Sequence, residues 1–172
     1  TDERTLARAY MDGLPQALQD RIPPGMRERA TVPRPIEIRP IKPLDPIRPG
    51  AQPPRRKVWF RASGALPDRQ SVHQYMLAYA SDFYLLGSTM QPHGVTWMVP
   101  GMQVASVDHA MWFHRPFRMD DWLLYDIESP SASNARGLAL GRFYDRAGRL
   151  VASTAQEGLI RDRRRSSGPS PN

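Results

Sequence analysis

The chain has 172 residues, 40 % hydrophobic and 24 % charged, which is enough apolar material for one folded domain with flanking segments. It contains no cysteine; this excludes disulfides, thiolate metal sites and a cysteine nucleophile, and it fits a reducing, cytoplasmic setting. No run of about 18 apolar residues is present to span a membrane, and the formal charge of +7 lies in the flanks, because residues 58–160 hold 8 Lys+Arg against 9 Asp+Glu, whereas a nucleic-acid-binding domain carries its basic face on the folded part.

The N-terminus, Thr1 to Arg4, has neither an initiating Met nor a basic-then-apolar signal pattern, as expected of a fragment or processed product. A short helix is expected around Thr5–Ala9. Residues 1–57 hold 11 of the 18 prolines. Proline removes backbone donors and blocks helix, so this zone reads as an extended linker, an edge strand at best. Within it, Ile36, Ile38 and Ile41 alternate loosely with polar groups, suited to lying along the outside of a folded core. Residues 58–161 are the folded domain.

That domain opens with a β-like run, Lys57–Ala62, followed by turn signals at Ser63-Gly64 and Pro67-Asp68. Val72–Leu86 has helical spacing, with Asp68 or Ser71 as the expected cap and Gly87 as the stop. Both faces of this helix are apolar, which predicts a buried helix. Gln91–Gly94 reads as a turn. Strands are expected at Gln103–Arg115, Trp122–Ser129, Arg136–Tyr144 and Arg149–Arg161, with Asp145–Gly148 as the hairpin loop between the last two. The fold class is therefore α+β: one long buried helix wrapped by a curved antiparallel sheet. Residues 162–172, with Arg163-Arg164-Arg165 followed by Ser, Gly and Pro, read as a basic disordered tail.

Asp82 is the most telling polar residue, a carboxylate near the end of an otherwise apolar helix. Burial without a partner is costly, and such groups are often functional; the alternative is an Asp that points to solvent or caps a loop. Asp108, His109 and His114 form a second polar group. Strand alternation puts Asp108 and His114 on one face and His109 on the other, and no further ligand has metal-site spacing, so structural hydrogen bonding is favoured. Trp112, Phe113 and Trp122 read as core or tunnel lining. Arg115, Arg136 and Arg142 suit either phosphate attraction or solubility.

Several separated motifs resemble the acyl-CoA thioesterase II family: HQYMLAYASD (His73–Asp82), QPHG (Gln91–Gly94), VDHAMWFHRPF (Val107–Phe117), the run from Trp122 to Thr154, and AQEGLIR (Ala155–Arg161). Members of that family join two hot-dog domains by a proline-containing linker, and this chain resembles the linker plus the second hot dog. The resemblance implies a hot-dog fold, hydrolysis of fatty acyl-CoA without metal or cofactor, pairing with another hot-dog domain, and homo-oligomers. It also implies that Asp82, Ser106 and Gln156 hold and activate a water. By themselves Ser106 and Gln156 are ordinary strand polar groups; with Asp82 they supply a hydroxyl, an amide and an acceptor that can orient one water. A covalent serine route has no support, since no Gly-x-Ser-x-Gly elbow occurs. The oxyanion donor is expected to be a backbone N–H, with Gly94–Gly101 as a candidate loop. Competing readings are a non-catalytic assembly half that needs its partner domain, a hot-dog enoyl-CoA hydratase using Asp108 with His114, and nucleic-acid binding by the basic flanks.

Overall fold

The computed structural model describes residues 1–20, 25, 27–28, 32–45 and 49–163. The tail expected from residue 162 lies, from residue 164 onward, outside the described residues.

Among the described residues, seven strands form one antiparallel sheet: β1 (Ile36–Pro40), β2 (Arg55–Ala62), β3 (Met102–Ser106), β4 (Ala110–Phe113), β5 (Leu123–Ser133), β6 (Arg136–Tyr144) and β7 (Leu150–Asp162). Their order is β1-β2-β5-β6-β7-β3, with β4 also paired to β7. The helices are α1 (Glu3–Asp12), α2 (Gln16–Gln19), α3 (Gln70–Ser81) and α4 (Gly87–Met90). A principal helix laid on one curled antiparallel sheet is the hot-dog architecture. None of the described helices is long and apolar enough to cross a membrane.

The core follows from the two-residue period of the strands, which sends alternate side chains to one face. Val58 and Phe60 of β2, Leu123, Tyr125 and Ile127 of β5, and Phe143 of β6 are all buried together with Leu77 and Ala80 of α3. Tyr125 stacks on Phe143 with centroids 3.8 Å apart, and Phe60 lies 5.6 Å from Tyr125. The proline-rich zone contributes more than a covering strap. β1 pairs with β2 from Ile36↔Ala62 to Pro40↔Val58, and Ile36 and Ile38 are buried in the core. Pro40 is tolerated because β1 is an edge strand.

Helix α3 departs from its sequence reading in three ways. It ends at Ser81, with Asp82 as its C-cap, rather than at Leu86. Tyr84 adopts a left-handed φ of 69°, which an α-helix cannot accommodate, and Gly87 then begins α4 instead of closing α3. Neither Asp68 nor Ser71 caps its start; Arg69 occupies the cap without a side-chain bond, and Asp68 is drawn to Arg118 at 2.9 Å. Finally, the helix buries one face only. His73, Leu77, Ala80 and Ser81 meet the sheet side, while Tyr75 and Tyr79 are 71 % and 57 % exposed. An all-apolar helix surface predicts burial on every side, but this sheet covers one.

The expected strand Gln103–Arg115 is interrupted. Ser106 pairs with Gly158 and Ala110 with Ala155, so four steps on one side match three on the other. The extra residue makes a β-bulge. The backbone N–H groups of Val107 and Asp108 both point at the Glu157 carbonyl, at 2.9 and 3.4 Å. The Asp108 side chain accepts the Glu157 N–H at 2.7 Å. The hairpin loop after β6 forms as expected: Gly148 supplies a φ of 77°, and Asp145 accepts from the Ala147 and Arg149 N–H groups.

Candidate active site

Three elements far apart in sequence converge on one buried amide. Gln156 lies within β7 and is fully buried. Its Nε2 donates to Asp82 Oδ1 at 2.8 Å and to Ser106 Oγ at 2.5 Å. Asp82 arrives at the C-cap of α3, and Ser106 is the last residue of β3. The structure therefore brings Asp82, Ser106 and Gln156 together, the three residues named by the resemblance. Asp82 is exposed, however, and so is Ser106. The expectation of a buried carboxylate fails because α3 stops at Ser81, and its C-terminus faces a cleft instead of the core.

The other end of the Gln156 amide is also occupied. His109 Nδ1 lies 3.1 Å from Gln156 Oε1, and His109 Nε2 lies 2.8 Å from Ser81 Oγ. Unbroken alternation along Gln103–Arg115 places His109 on the side away from Ser106. Residues 106 and 109 are three apart, so regular alternation sends them to opposite faces. The bulge at Val107-Asp108 re-aims the chain, and both side chains reach Gln156. Ser81 has no distinctive signal in the sequence, being one serine in the last turn of a helix.

Beneath the site, Tyr125 donates its hydroxyl to the Ser81 carbonyl at 2.9 Å and meets Thr154 Oγ1 at 2.8 Å. Burial pushes the Tyr125 phenol well above its ordinary pKa, so it remains a neutral donor that ties the end of α3 to the sheet.

Donor and acceptor logic fixes the polarity of the cluster. An ionised carboxylate only accepts, so the amide nitrogen must face Asp82. Ser106 Oγ accepts from that same nitrogen, which leaves its own hydroxyl hydrogen available toward the cleft. The cleft, about 370 Å³, is lined by Asp82, Phe83, Tyr84, Leu86, Trp97 and Ser106 among others. It offers the Asp82 carboxylate as acceptor and the Ser106 hydroxyl as donor, with Arg34 and apolar side chains also in its lining. Trp97 comes from the Gly94–Gly101 loop, the candidate for the oxyanion donor.

Tyr84 is held in its left-handed turn from two sides. Its hydroxyl donates to Glu3 of α1 at 2.6 Å, and the Arg56 guanidinium lies 4.2 Å over its ring. Burial raises the Tyr84 pKa, and the nearby Glu3 raises it further.

The remaining sequence candidates have separate partners. Asp108 is engaged by the Glu157 N–H and His114 bonds Ser153 at 2.9 Å, so the two do not form an Asp–His pair. Arg115 donates to the Leu150 carbonyl, Arg136 pairs with Glu157 and Arg142 with Glu128. Trp112 and Phe113 are exposed rather than core, because β4 sits at the sheet edge. The Arg39 and Arg61 guanidinium groups both lie over the Trp122 ring, each 4.6 Å from its centroid. Among the described residues, no group of three or more His, Asp or Glu could hold a metal ion.

The family described as acyl-CoA thioesterase matches residues 27–159. The chain is 38 % identical over 161 residues to acyl-CoA thioesterase 2 of Haemophilus influenzae, covering 94 % of this chain and 54 % of that protein. It is 39 % identical over 145 residues to human acyl-coenzyme A thioesterase 8, covering 84 % of this chain and 45 % of that one. The chain thus spans about half the length of the curated relatives it matches. Among solved structures it is similar to an acyl-CoA thioesterase II, TesB2, from Mycobacterium marinum. That match has a TM-score of 0.63 and 43 % identity over 80 % of this chain and 52 % of that one. Zebrafish thioesterase superfamily member 2 matches with a TM-score of 0.53 at 16 % identity, over 91 % of this chain and 94 % of that one, a likeness of fold alone.

Proposed function

This chain belongs to the acyl-CoA thioesterase family, and on that premise we propose that it hydrolyses fatty acyl-CoA thioesters to free CoA and fatty acid. The nucleophile is a water in the cleft. Asp82 takes its proton as the oxygen attacks the thioester carbonyl carbon, while Ser106 and Gln156 hold the water and the carboxylate in line. The tetrahedral intermediate then collapses, the C–S bond breaks, and the CoA thiolate leaves and is protonated. The single observation that carries this reading is the buried Gln156 nitrogen joining Asp82 and Ser106 at 2.8 and 2.5 Å.

Pairing with another hot-dog domain, either a separate half or a second copy of this chain, is part of the same proposal. The open cleft and the exposed aromatic side chains Tyr75 and Tyr79 of α3 and Trp112 and Phe113 of β4 support it, since aromatic residues are enriched at interfaces. The same observation favours a second reading, in which this half assembles the enzyme and turns over substrate only with its partner.

The test is release of free thiol from a panel of acyl-CoA chain lengths, comparing the parent chain with Asp82→Asn. Loss of a general base is expected to cost about 10²–10⁴-fold in turnover. An unchanged rate in Asp82→Asn would remove the mechanism. Turnover that appears only when the other half is added would select the second reading.

A further inference from the structure

We propose that His109 is a positioning residue, whose Nδ1–H fixes the Gln156 amide with its nitrogen toward Asp82 and Ser106. This rests on the reading of the site given above. The two ends of a glutamine amide are nearly isosteric, so a half-turn about the last side-chain bond exchanges donor and acceptor at no steric cost. While Asp82 is ionised, its carboxylate holds the nitrogen in place. In turnover Asp82 takes the proton of the attacking water. A protonated Asp82 can donate, and it no longer forbids the flipped amide. Ser106, with a hydroxyl that both donates and accepts, does not forbid it either.

Only the far side of the amide can then keep the orientation. His109 Nδ1 is 3.1 Å from Gln156 Oε1, and an acceptor at that position requires Nδ1 to carry hydrogen. The Gln156 oxygen that ionised Asp82 turns toward the ring demands it, and Ser81 accommodates either charge state of the ring. Against a neutral ring its hydroxyl turns to donate to Nε2, at 2.8 Å. Against a cationic ring Nε2 donates instead, and the Ser81 hydroxyl goes to the Ala78 carbonyl, also at 2.8 Å. An amide flip alone would then set the Gln156 NH2 against Nδ1–H, donor against donor, so the orientation survives proton transfer at Asp82 for as long as the ring keeps its Nδ1 proton. The tautomer is imposed, because a histidine free in water favours the proton on Nε2, and the partner of one ring nitrogen decides the state of the other. Ser81 is itself fully buried, with its carbonyl held by Tyr125. The bulge at Val107-Asp108 is what lets His109 and Ser106 grip the two ends of one side chain.

The first experiment needs no variant and no turnover. Long-range ¹H–¹⁵N correlation spectra of the full chain, recorded at about pH 8 where ordinary imidazoles are neutral, are expected to show His109 as the Nδ1–H tautomer. An Nε2–H tautomer would overturn the proposal. The kinetic arm uses three substitutions. His109→Asn places an amide N–H near the Nδ1 position and is expected to retain kcat within about threefold, while His109→Gln, which reaches only the Nε2 position, and His109→Ala lose about 10- to 100-fold in kcat with KM little changed. In a Gln156→Ala background, His109→Ala is expected to add no further loss. A His109→Ala enzyme with parental kcat, alongside an inactive Asp82→Asn, would sink this inference and leave the catalytic reading standing. An active Asp82→Asn would sink that reading first.

Discussion

Gly141→Ala is expected to be among the most damaging single-methyl additions available to this protein. Gly141 lies in β6 between Ile127 of β5 and Thr154 of β7. A Cβ there would meet Tyr125 Cε2 at 2.3 Å, Thr154 Oγ1 at 2.5 Å and the Tyr125 hydroxyl at 2.7 Å. Ordinary contact begins near 3.4 Å, so the Tyr125 ring must retreat by about 1 Å. It has nowhere to go: it is fully buried, stacked at 3.8 Å on Phe143, and its hydroxyl is tied to the Ser81 carbonyl and to Thr154. Overpacking costs about 1–3 kcal/mol, and stretching the two buried hydrogen bonds adds about 1–3 kcal/mol. The expected loss is therefore about 2–6 kcal/mol, a large share of the 5–15 kcal/mol typical of a domain. In urea, with a slope of about 2 kcal/mol/M, the midpoint should fall by about 2 M. Gly64→Ala is the control, since a Cβ there meets nothing within 4 Å, and it should stay within about 0.5 kcal/mol of the parent. A Gly141→Ala protein that unfolds within about 1 kcal/mol of the parent would refute the reasoning.

Tyr125→Phe keeps the stacked ring but leaves the Ser81 carbonyl and Thr154 hydroxyl without that partner; a loss of about 1–3 kcal/mol in urea melts is expected. Ile38→Ala should cost about 2–5 kcal/mol by the same measurement, because Ile38 is 3 % exposed, whereas Ile41→Ala, at a residue 56 % exposed, should be near neutral. The Arg118 guanidinium beside Asp120, with the Leu66 N–H, holds the Asp120 carboxyl well below the ordinary carboxylate range. Its folded pKa is depressed, so its stabilising contribution is present above about pH 4 and is lost as pH falls toward the folded value. Asp120→Asn should therefore flatten the acid limb of stability plotted against pH, and an unchanged limb would assign acid unfolding to other groups.

The periodic parts of this fold were legible along the chain. β6 runs from Arg136 to Tyr144 as its alternation indicates, the Asp145–Gly148 loop forms, and β7 starts and stops within one residue of its expected span. Strand alternation and turn chemistry are local, so neighbouring residues determine them. The motifs of the resemblance also pointed to Asp82, Ser106 and Gln156, although nothing in the local chemistry of Ser106 or Gln156 distinguishes them from other strand polar groups.

What tertiary structure alone decided was non-local. Helix α3 ends at Ser81 because Tyr84 is drawn into a left-handed turn by Glu3, 81 positions away, and by Arg56 on β2. The place of Asp82 at a cleft follows from that stop. The long strand breaks at Val107-Asp108 because two backbone donors share one carbonyl of β7, and only that bulge turns His109 toward Gln156. Such features depend on which distant groups become neighbours. A hydrophobic period encodes which face of an element is buried, but not which residue on another strand will supply a missing donor or acceptor.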